Sequence, residues 1–450
     1  MKIILIILLI CIILLNKHFF YHSLISNIKI LIWFLKIDKK KYIHDRNTIQ
    51  KYGIQNFFIK RKQILSIGPD LPFFDKQIVS RKNNINELLN YKLYGKTSSL
   101  GFIIDSFTTP FNLKGKWIGD SIFRMDKETR GNRKELYLSA LSKEKINYYQ
   151  KLIRYHIPKI FTLQKELNHF ETCNKFCITM FFKIHLGIYP DKDDYQDIKT
   201  FINALAKFNK GTLFNKPISK QLWNLRFFYE KTYYRIKNID KSKTCIVNDW
   251  IKSGMTVNDV FIEMIHNIVG VVTNWVNTLY PYLIAIYENK IPRIDILNKD
   301  KYLHECFRYL LPVKFIASKI KNKDLNISIT HDLLVPSRNK SWGEYPYKFN
   351  YNRFTNYKNF LTKSHNCPIY QTKKGAKVPK NLSIYENDNY VPFGIGYRRC
   401  PGELLSLKLL EEFALYVSNK SLKLYLKNEI SKPTHYVFDI IETNYYFVIN

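Results

Sequence analysis

The stretch Val257–Tyr280 constrains the fold more than any other part of the sequence. It starts at Thr256–Asp259, where a hydroxyl and a carboxylate are typical of a helix N-terminus, and Pro281 follows it. Its side chains are apolar nearly all round the predicted helix rather than along one stripe, so the helix is expected to cross the interior of a domain. With 450 residues, 46% of them hydrophobic, the chain can bury such a helix in a sizeable core.

A second segment, Val391–Glu403, favours a metal ligand. It places Cys400 next to Arg398 and Arg399, and the helix-like run Leu404–Leu415 follows it. A thiol binds metal as the thiolate, and both positive charge and a helix N-terminus lower the pKa of a thiol. The two arginines and the helix are therefore expected to keep Cys400 deprotonated.

Glycines and a proline surround this cysteine. Gly394, Gly396 and Gly402 allow backbone N–H groups to approach the sulfur where a side chain would block them. Pro401 has no N–H and suits the first position of a helix. These features are typical of a shielded thiolate that binds a metal. The alternative is a glycine turn with an incidental cysteine.

The spacing of Phe393, Gly396, Arg398, Cys400 and Gly402 resembles the haem-binding loop of the cytochrome P-450 (haem-thiolate monooxygenase) family. The resemblance implies a mainly α fold with small β-sheets, in a single catalytic domain that holds haem b. It also implies that Cys400 is the iron ligand and that the other four residues contact the cofactor. Further motifs of the family follow in the family's order.

The middle of the long predicted helix resembles the oxygen site of the family. Gly270 and Thr273 match, which implies that Gly270 leaves room for dioxygen and that the Thr273 hydroxyl supports proton delivery to it. Val272 departs from the pattern, because the family has Asp or Glu there. The alternative for Thr273 is a hydroxyl that bonds back to the helix carbonyl one turn earlier. Without the acid, the candidates for proton delivery are water, Thr273, Asn274, Glu263 and His266.

A cluster of one carboxylate and two guanidinium groups is expected behind the haem. Glu305 and Arg308 are three residues apart, which puts them on one face of a helix. Downstream, Arg353 and Phe354 match the end of a family segment, although the two residues before them depart from it. A carboxylate shared by two arginines remains hydrogen-bonded when buried, so the implied role is structural. An isolated surface pair of little consequence is the alternative.

The resemblance also suggests partners for the haem propionates. Arg133 and Lys319 lie near positions where the family has basic residues, but Thr129 stands where the family usually has Trp or His. A solvent-exposed arginine is the alternative interpretation of Arg133.

Periodicity predicts further elements. Lys143–His156 is helical, and Tyr445–Ile449 is a terminal strand. Tyr195–Lys207 and Lys220–Asn238 are amphipathic helices, which either form a lid that touches a membrane or pack against the core. The irregular segment Thr108–Phe123 corresponds to a loop that covers the substrate in the family, or is an ordinary surface loop.

The N-terminus predicts a membrane anchor. Ile3–Leu15 is continuously apolar, Phe19–Tyr21 can form an aromatic belt, and a second apolar run, Ile28–Ile37, follows. A cleaved signal peptide and a buried core helix are the alternatives. Lys39–Lys41 come after the apolar runs, so the remainder is expected to face the cytosol from the endoplasmic reticulum or an equivalent membrane.

Three regions are therefore expected. Residues 1–40 form the hydrophobic anchor, residues 41–67 a basic linker, and residues 68–450 the haem-thiolate catalytic domain. The turn-rich break Gly68–Pro72 is the expected hinge.

The formal net charge of +34 admits three interpretations: attraction to anionic lipids, docking of an acidic electron donor, or nucleic-acid binding. The sequence has no basic tail, zinc-finger spacing or RNA-binding motif, so no nucleic-acid partner is expected. The abundance of Ile, Lys, Asn and Tyr is typical of an AT-rich genome, which weakens any argument from lysine content.

Seven cysteines without a pairing pattern favour a reducing compartment over a disulfide scaffold. Cys173 and Cys177 lie one helical turn apart, but no second pair completes a metal site. They are expected to be buried free thiols.

Together the motifs imply a monooxygenase that inserts one oxygen atom from O2 into a hydrophobic substrate such as a lipid, sterol or fatty acid. Electrons would come from NADPH through a reductase, and the thiolate would favour O–O cleavage. Val272 keeps a second possibility open, a haem-thiolate isomerase or dehydratase that acts on a peroxide without a reductase. A non-catalytic membrane protein that binds haem, or uses its basic charge for interaction, is a third.

Overall fold

The structure is a computed structural model. It describes residues 121–122, 125, 127–163, 165–209, 218–313, 315–319, 327–338, 340–354, 390–394, 399–426 and 445–449, together with two short strands at 65–67 and 76–80. The expected anchor at residues 1–40, most of the Thr108–Phe123 loop, Gly396 and Arg398 lie outside these residues. None of the helices in the described part is long and apolar enough to cross a membrane.

Most of the described chain is helical, as predicted for a mainly α fold. The helices are α1 (Lys127–Ser139), α2 (Lys143–Ile160), α3 (His169–Leu186), α4 (Lys192–Asn209), α5 (Ile218–Lys237), α6 (Ile246–Lys252), α7 (Val257–Asn267), α8 (Asn274–Tyr287), α9 (Lys299–Leu310), α10 (Leu334–Ser337) and α11 (Glu403–Ser418). A π-helical segment, Ile268–Thr273, joins α7 to α8.

Two small sheets accompany the helices. The strands are β1 (Leu65–Ile67), β2 (Lys76–Ser80), β3 (Leu167–Asn168), β4 (Phe315–Lys319), β5 (Ile327–Asp332), β6 (Leu422–Leu426) and β7 (Tyr445–Ile449). One sheet has the order β1-β2-β5-β4, in which only β2 and β5 are parallel, and the other has the order β3-β7-β6. Pairing with β2 places β1 in the same sheet as β4 and β5, although the sequence assigned residues 65–67 to the linker.

Local sequence explains where the long helix begins and why it continues. Thr256 and Asp259 form a capping box, in which the Thr256 side chain accepts from the Asp259 amide, as the sequence predicted. The expected end before Pro281 is wrong, because α8 continues through Pro281 to Tyr287. A proline interrupts helical hydrogen bonding. Buried side chains on either side of it, including Leu279 and Leu283, hold the helix in the core.

The helix that follows Cys400 is fixed from several sides. Helix α11 contains the predicted run Leu404–Leu415, and it packs against α2, α8 and α9. The Phe413 ring lies 4.9 Å from the Phe161 ring, and the buried Glu412 carboxylate accepts from Arg154 at 2.7 Å. These contacts hold the C-terminal half of α11 in the core.

Cys173 and Cys177 are buried free thiols within α3, as predicted. Burial raises the pKa of both, which keeps them protonated. The predicted amphipathic helices correspond to α4 and α5, which pack against each other, and β7 is the predicted terminal strand.

Candidate functional site

Cys400 lies in a turn that returns to the start of its own loop. The backbone N–H of Cys400 donates to the Phe393 carbonyl at 2.7 Å, and the Gly394 N–H donates to the Val391 carbonyl at 2.9 Å. Gly394 has a φ of 71°, which strongly favours glycine. Cys400 is partly exposed, whereas the other cysteines that the structure describes are buried. Of these thiols, that of Cys400 is therefore the most accessible to a ligand.

The turn differs from the sequence expectation in two details. Helix α11 begins at Glu403 with Gly402 as its N-cap, so Pro401 precedes the helix and does not occupy its first position. Gly402 has an ordinary φ of −87°, and a Cβ added there would lie 3.8 Å from the Cys400 sulfur, a normal contact. A small side chain at position 402 would therefore be tolerated better than expected, although glycine leaves that side of the Cys400 sulfur open.

The charge of Arg399 is compensated within the loop. Its guanidinium donates to both carboxylate oxygens of Glu403 at 2.6 Å, and both side chains are nearly buried. The ammonium of Lys134, which is also buried, donates to the Arg399 carbonyl at 2.8 Å. The Arg399–Glu403 ion pair thus stabilises the turn. Lys134 of α1 adds a second cation that contacts the loop.

The structure places Arg133 against the long helix. Its guanidinium bonds to Asp259 at 2.5 Å and lies 3.8 Å from Glu263. Glu263 is fully buried and accepts from the Tyr137 hydroxyl at 2.7 Å and from the Ile122 amide at 2.8 Å. Burial, followed by the Glu263 charge, raises the pKa of Tyr137. The contacts of Glu263 link α1 and the chain at Ile122 to α7.

Lys319 is the last residue of β4, paired with Ser328 of β5, and its side chain lies outside the described part. Its relation to a propionate stays a prediction, as does that of Arg133.

The π-helical segment contains the predicted oxygen-site motif. Gly270 is partly exposed, whereas Val272 and Thr273 are buried. The Thr273 hydroxyl donates to the Val269 carbonyl, which is the back-bonding alternative named above. A π-segment within an α-helix is rare and often marks a functional site. Two residues later, the Trp275 indole N–H donates to the Ser406 hydroxyl at 3.1 Å, which ties this helix to α11.

The structure brings Glu305, Arg308 and Arg353 together. Glu305 and Arg308 are fully buried and form two hydrogen bonds of 2.6 Å, and the Arg353 Nε lies 3.7 Å from Glu305. Glu305 also accepts from the Asn350 amide at 2.8 Å. The Phe307 ring on the same helix lies 4.6 Å from the Phe393 ring. The cluster therefore sits one packing contact away from the cysteine loop.

No protein-family model and no curated protein matches the chain. Several solved structures do. A cytochrome P-450 OleT variant in complex with arachidonic acid has a TM-score of 0.62 and 14% identity, over 90% of this chain and 96% of that chain. Cyanobacterial CYP120A1 with bound retinoic acid has a TM-score of 0.65 and 13% identity, over 90% and 96%. Cytochrome P-450 SP alpha (CYP152B1) with (R)-ibuprofen has a TM-score of 0.62 and 11% identity, over 91% and 98%.

The chain has the cytochrome P-450 fold. These likenesses extend over about nine-tenths of the chain. The membrane anchor predicted at residues 1–40 lies outside the described residues and stays a prediction.

The residues around Cys400 fit the haem that a P-450 fold implies. One partly exposed thiol is the type of donor that a haem-thiolate site needs, and the position at Gly402 leaves space beside its sulfur. On the long helix, Gly270 and Val271 are partly exposed within an otherwise buried segment. An apolar, accessible face is compatible with a porphyrin or an apolar substrate.

Sequence reasoning missed Lys134 and Glu403. Lys134 lies in the same basic run as Arg133, and the sequence does not distinguish which of the two contacts the cysteine loop. Glu403 was part of the quoted loop, and its spacing of four residues from Arg399 at a helix start was the available signal.

Proposed function

We propose that the protein is a haem-thiolate oxidoreductase that acts on a hydrophobic, fatty-acid-like substrate. The observation that carries the proposal is a partly exposed Cys400 in the turn before α11 of a P-450 fold. Haem, when bound, would supply the redox chemistry that protein side chains lack. Cys400 would hold it through Sγ. The other proposed cofactor contacts are Phe393, Gly396, Arg398 and Gly402, with Arg133 and Lys319 at the propionates.

The chain's own residues would hold the sulfur in one orientation. The Cys400 amide is bonded to Phe393, and the Phe393 ring packs on Phe307. Glu403 holds Arg399 in the turn, so a buried cation is not left unpaired beside the site. These contacts cost no rearrangement when a ligand binds, which is the advantage of a preorganised site.

The ligands of the structural neighbours support the substrate class. Arachidonic acid, retinoic acid and ibuprofen are the molecules bound in those proteins, and each has an apolar body and one carboxyl group. We expect long-chain acids to change the haem absorption spectrum of this protein on titration, and to bind more tightly than alcohols of the same length. Equal affinity for both series would contradict recognition of the carboxyl group.

For the reaction, we propose insertion of one oxygen atom from O2, with electrons from NADPH through a reductase. The functional assay incubates the haem-loaded protein with a long-chain acid, NADPH and a generic P-450 reductase. Oxygenated product that requires both NADPH and reductase supports monooxygenation.

A second candidate reaction follows from Val272. Its buried side chain can neither give nor accept a proton, whereas proton delivery is part of monooxygenation. A haem-thiolate isomerase or dehydratase would need no such delivery from the helix. Conversion of a fatty-acid hydroperoxide without NADPH or reductase would favour this candidate. Haem binding seen in the absorption spectrum, without turnover in either assay, would favour a non-catalytic haem-binding protein.

We also propose that residues 1–40 attach the protein to the endoplasmic reticulum or an equivalent membrane, with the catalytic part in the cytosol. The apolar run Ile3–Leu15 and the lysines after it support this orientation. The full chain should remain in the membrane pellet after alkaline carbonate extraction, whereas a chain without residues 1–40 should not. Equal extraction of both would contradict the anchor.

A further inference from the structure

Lys134 contacts the cysteine loop from outside the loop. Its ammonium donates to the Arg399 carbonyl at 2.8 Å, and the residue is only 3% exposed. That carbonyl belongs to the peptide unit whose nitrogen is the Cys400 amide. Burying an ammonium is costly unless it is hydrogen-bonded. Lys134 therefore makes a buried, charge-assisted hydrogen bond to the peptide group directly before the candidate iron ligand.

Helix α1, which carries Lys134, is also held against the long helix. The guanidinium of the neighbouring Arg133 bonds to Asp259 at 2.5 Å, and the Tyr137 hydroxyl donates to Glu263 at 2.7 Å. Asp259 and Glu263 both belong to α7. Helix α1 therefore connects the long helix to the cysteine loop, and its position does not depend on the loop alone.

The peptide between Arg399 and Cys400 is held at both of its polar groups. Lys134 holds its carbonyl, and its N–H donates to the Phe393 carbonyl at 2.7 Å. The Phe393 ring is in turn packed against Phe307 at 4.6 Å. A peptide plane held from both sides cannot rotate without breaking one of these bonds. The two contacts together therefore fix the direction in which the Cys400 side chain leaves the backbone.

The charge of Lys134 provides a second effect. The sequence predicted that Arg399 supplies positive charge to the thiolate, but its guanidinium bonds to both Glu403 oxygens, so this pair carries no net charge. Standard bond lengths put the Lys134 Nζ within about 9 Å of the Cys400 sulfur, given its bond to the Arg399 carbonyl. A buried charge at this distance is screened only weakly. Groups that surround a metal ligand tune the reduction potential of the metal.

We propose that Lys134 is a positioning residue for the Cys400 ligand. It fixes the peptide before Cys400 through the Arg399 carbonyl, and it adds positive charge beside the sulfur. The inference rests on the proposed function, because it concerns the same haem-thiolate site. Lys134 contacts neither the substrate nor the reacting atoms, so its effect is on the orientation and electron density of the thiolate.

The first test is the reduction potential of the haem-loaded protein, measured by spectroelectrochemistry. Lys134→Met should shift the potential to a more negative value, because a cation beside the thiolate favours the reduced, less positive iron. Lys134→Arg keeps the charge and should stay close to the wild type. Lys299→Met is the matched control, since it removes a lysine that bonds to Glu411 in the second half of α11 at 2.9 Å, and it should leave the potential unmoved.

A potential in Lys134→Met equal to that of the control would overturn the inference. Because this variant can impair folding, Lys134→Gln serves as a second variant that keeps a donor but not the charge, and it should also shift the potential to a more negative value. A wild-type potential in Lys134→Gln would overturn the inference equally. Absence of a thiolate-type carbon monoxide spectrum in the wild type would instead refute the proposed function, so the two failures are distinguishable.

The orientation of the sulfur has a separate readout. In urea titrations of the reduced, carbon monoxide-bound protein, the thiolate-type Soret band reports ligation by Cys400 and far-UV circular dichroism reports the helices. Lys134→Met should lose the thiolate band at a lower urea concentration relative to its helical signal than the wild type and Lys299→Met do. The same interval between the two transitions in all three proteins would contradict a role of Lys134 in positioning Cys400.

Discussion

Arg308→Met is expected to be among the most destabilising single substitutions in the described chain. Arg308 is fully buried and donates to both oxygens of Glu305 and to the carbonyls of Ser337, Pro346 and Lys348. Methionine fills part of the space but removes the guanidinium from these carbonyls, and it leaves the Glu305 carboxylate with the Asn350 amide and the more distant Arg353. Removing one partner of a buried ion pair costs about 3–5 kcal/mol, and total stability is typically about 5–15 kcal/mol.

The assay is urea denaturation followed by far-UV circular dichroism, with the wild type and variants under the same conditions. The control is Lys290→Ala, which breaks a pair with Glu288 in which the side chains are 57% and 40% exposed. Exposed pairs contribute about 0–1 kcal/mol, so this variant should unfold nearly as the wild type does. A loss for Arg308→Met no greater than that of the control would refute the claim that the cluster holds the chain behind Cys400.

Two further predictions concern stability. Gly394→Ala should lower the free energy of unfolding by about 1–2 kcal/mol, because a backbone φ of 71° is unfavourable for a residue with a side chain. Gly402→Ala should be nearly neutral, because the added Cβ would make only an ordinary contact. Equal melting temperatures for the two variants would contradict the turn geometry. Burial lowers the pKa of His185 to about 3, so between roughly pH 6 and pH 4 the unfolded chain binds a proton that the folded chain does not. The contribution of His185 to the free energy of unfolding therefore falls by about 1.4 kcal/mol per pH unit on acidification. In urea denaturation at several pH values, His185→Gln should lose stability less steeply than the wild type over this range.

The sequence predicted those parts of the fold that depend on local patterns. The capping residues Thr256 and Asp259 and the apolar run after them gave the start of the long helix, and α11 was visible after the cysteine loop. The pairing of Glu305 with Arg308 was predicted from their spacing on one helix face, whereas the place of Arg353 beside them was implied by the resemblance to the family. A single sequence best predicts contacts between residues that lie a few positions apart in the chain.

Features that depend on packing between distant segments could not be predicted. The partner of Arg133 is Asp259, far along the chain, and nothing near Arg133 in sequence indicates it. The helix continues through Pro281 because the surrounding core outweighs the lost hydrogen bond. The π-helical segment Ile268–Thr273 has no signature in hydrophobic periodicity.

The most direct test of the central claim is the absorption spectrum of the reduced, carbon monoxide-bound protein, compared between wild type and Cys400→Ser. Cys245→Ser is the matched control, since Cys245 is a buried thiol at the N-cap of α6, where serine is well suited. Wild type and Cys245→Ser should both show the red-shifted Soret band of thiolate ligation, and Cys400→Ser should lose it. An unshifted band in the wild type, or a shifted band that persists in Cys400→Ser, would contradict Cys400 as the haem ligand.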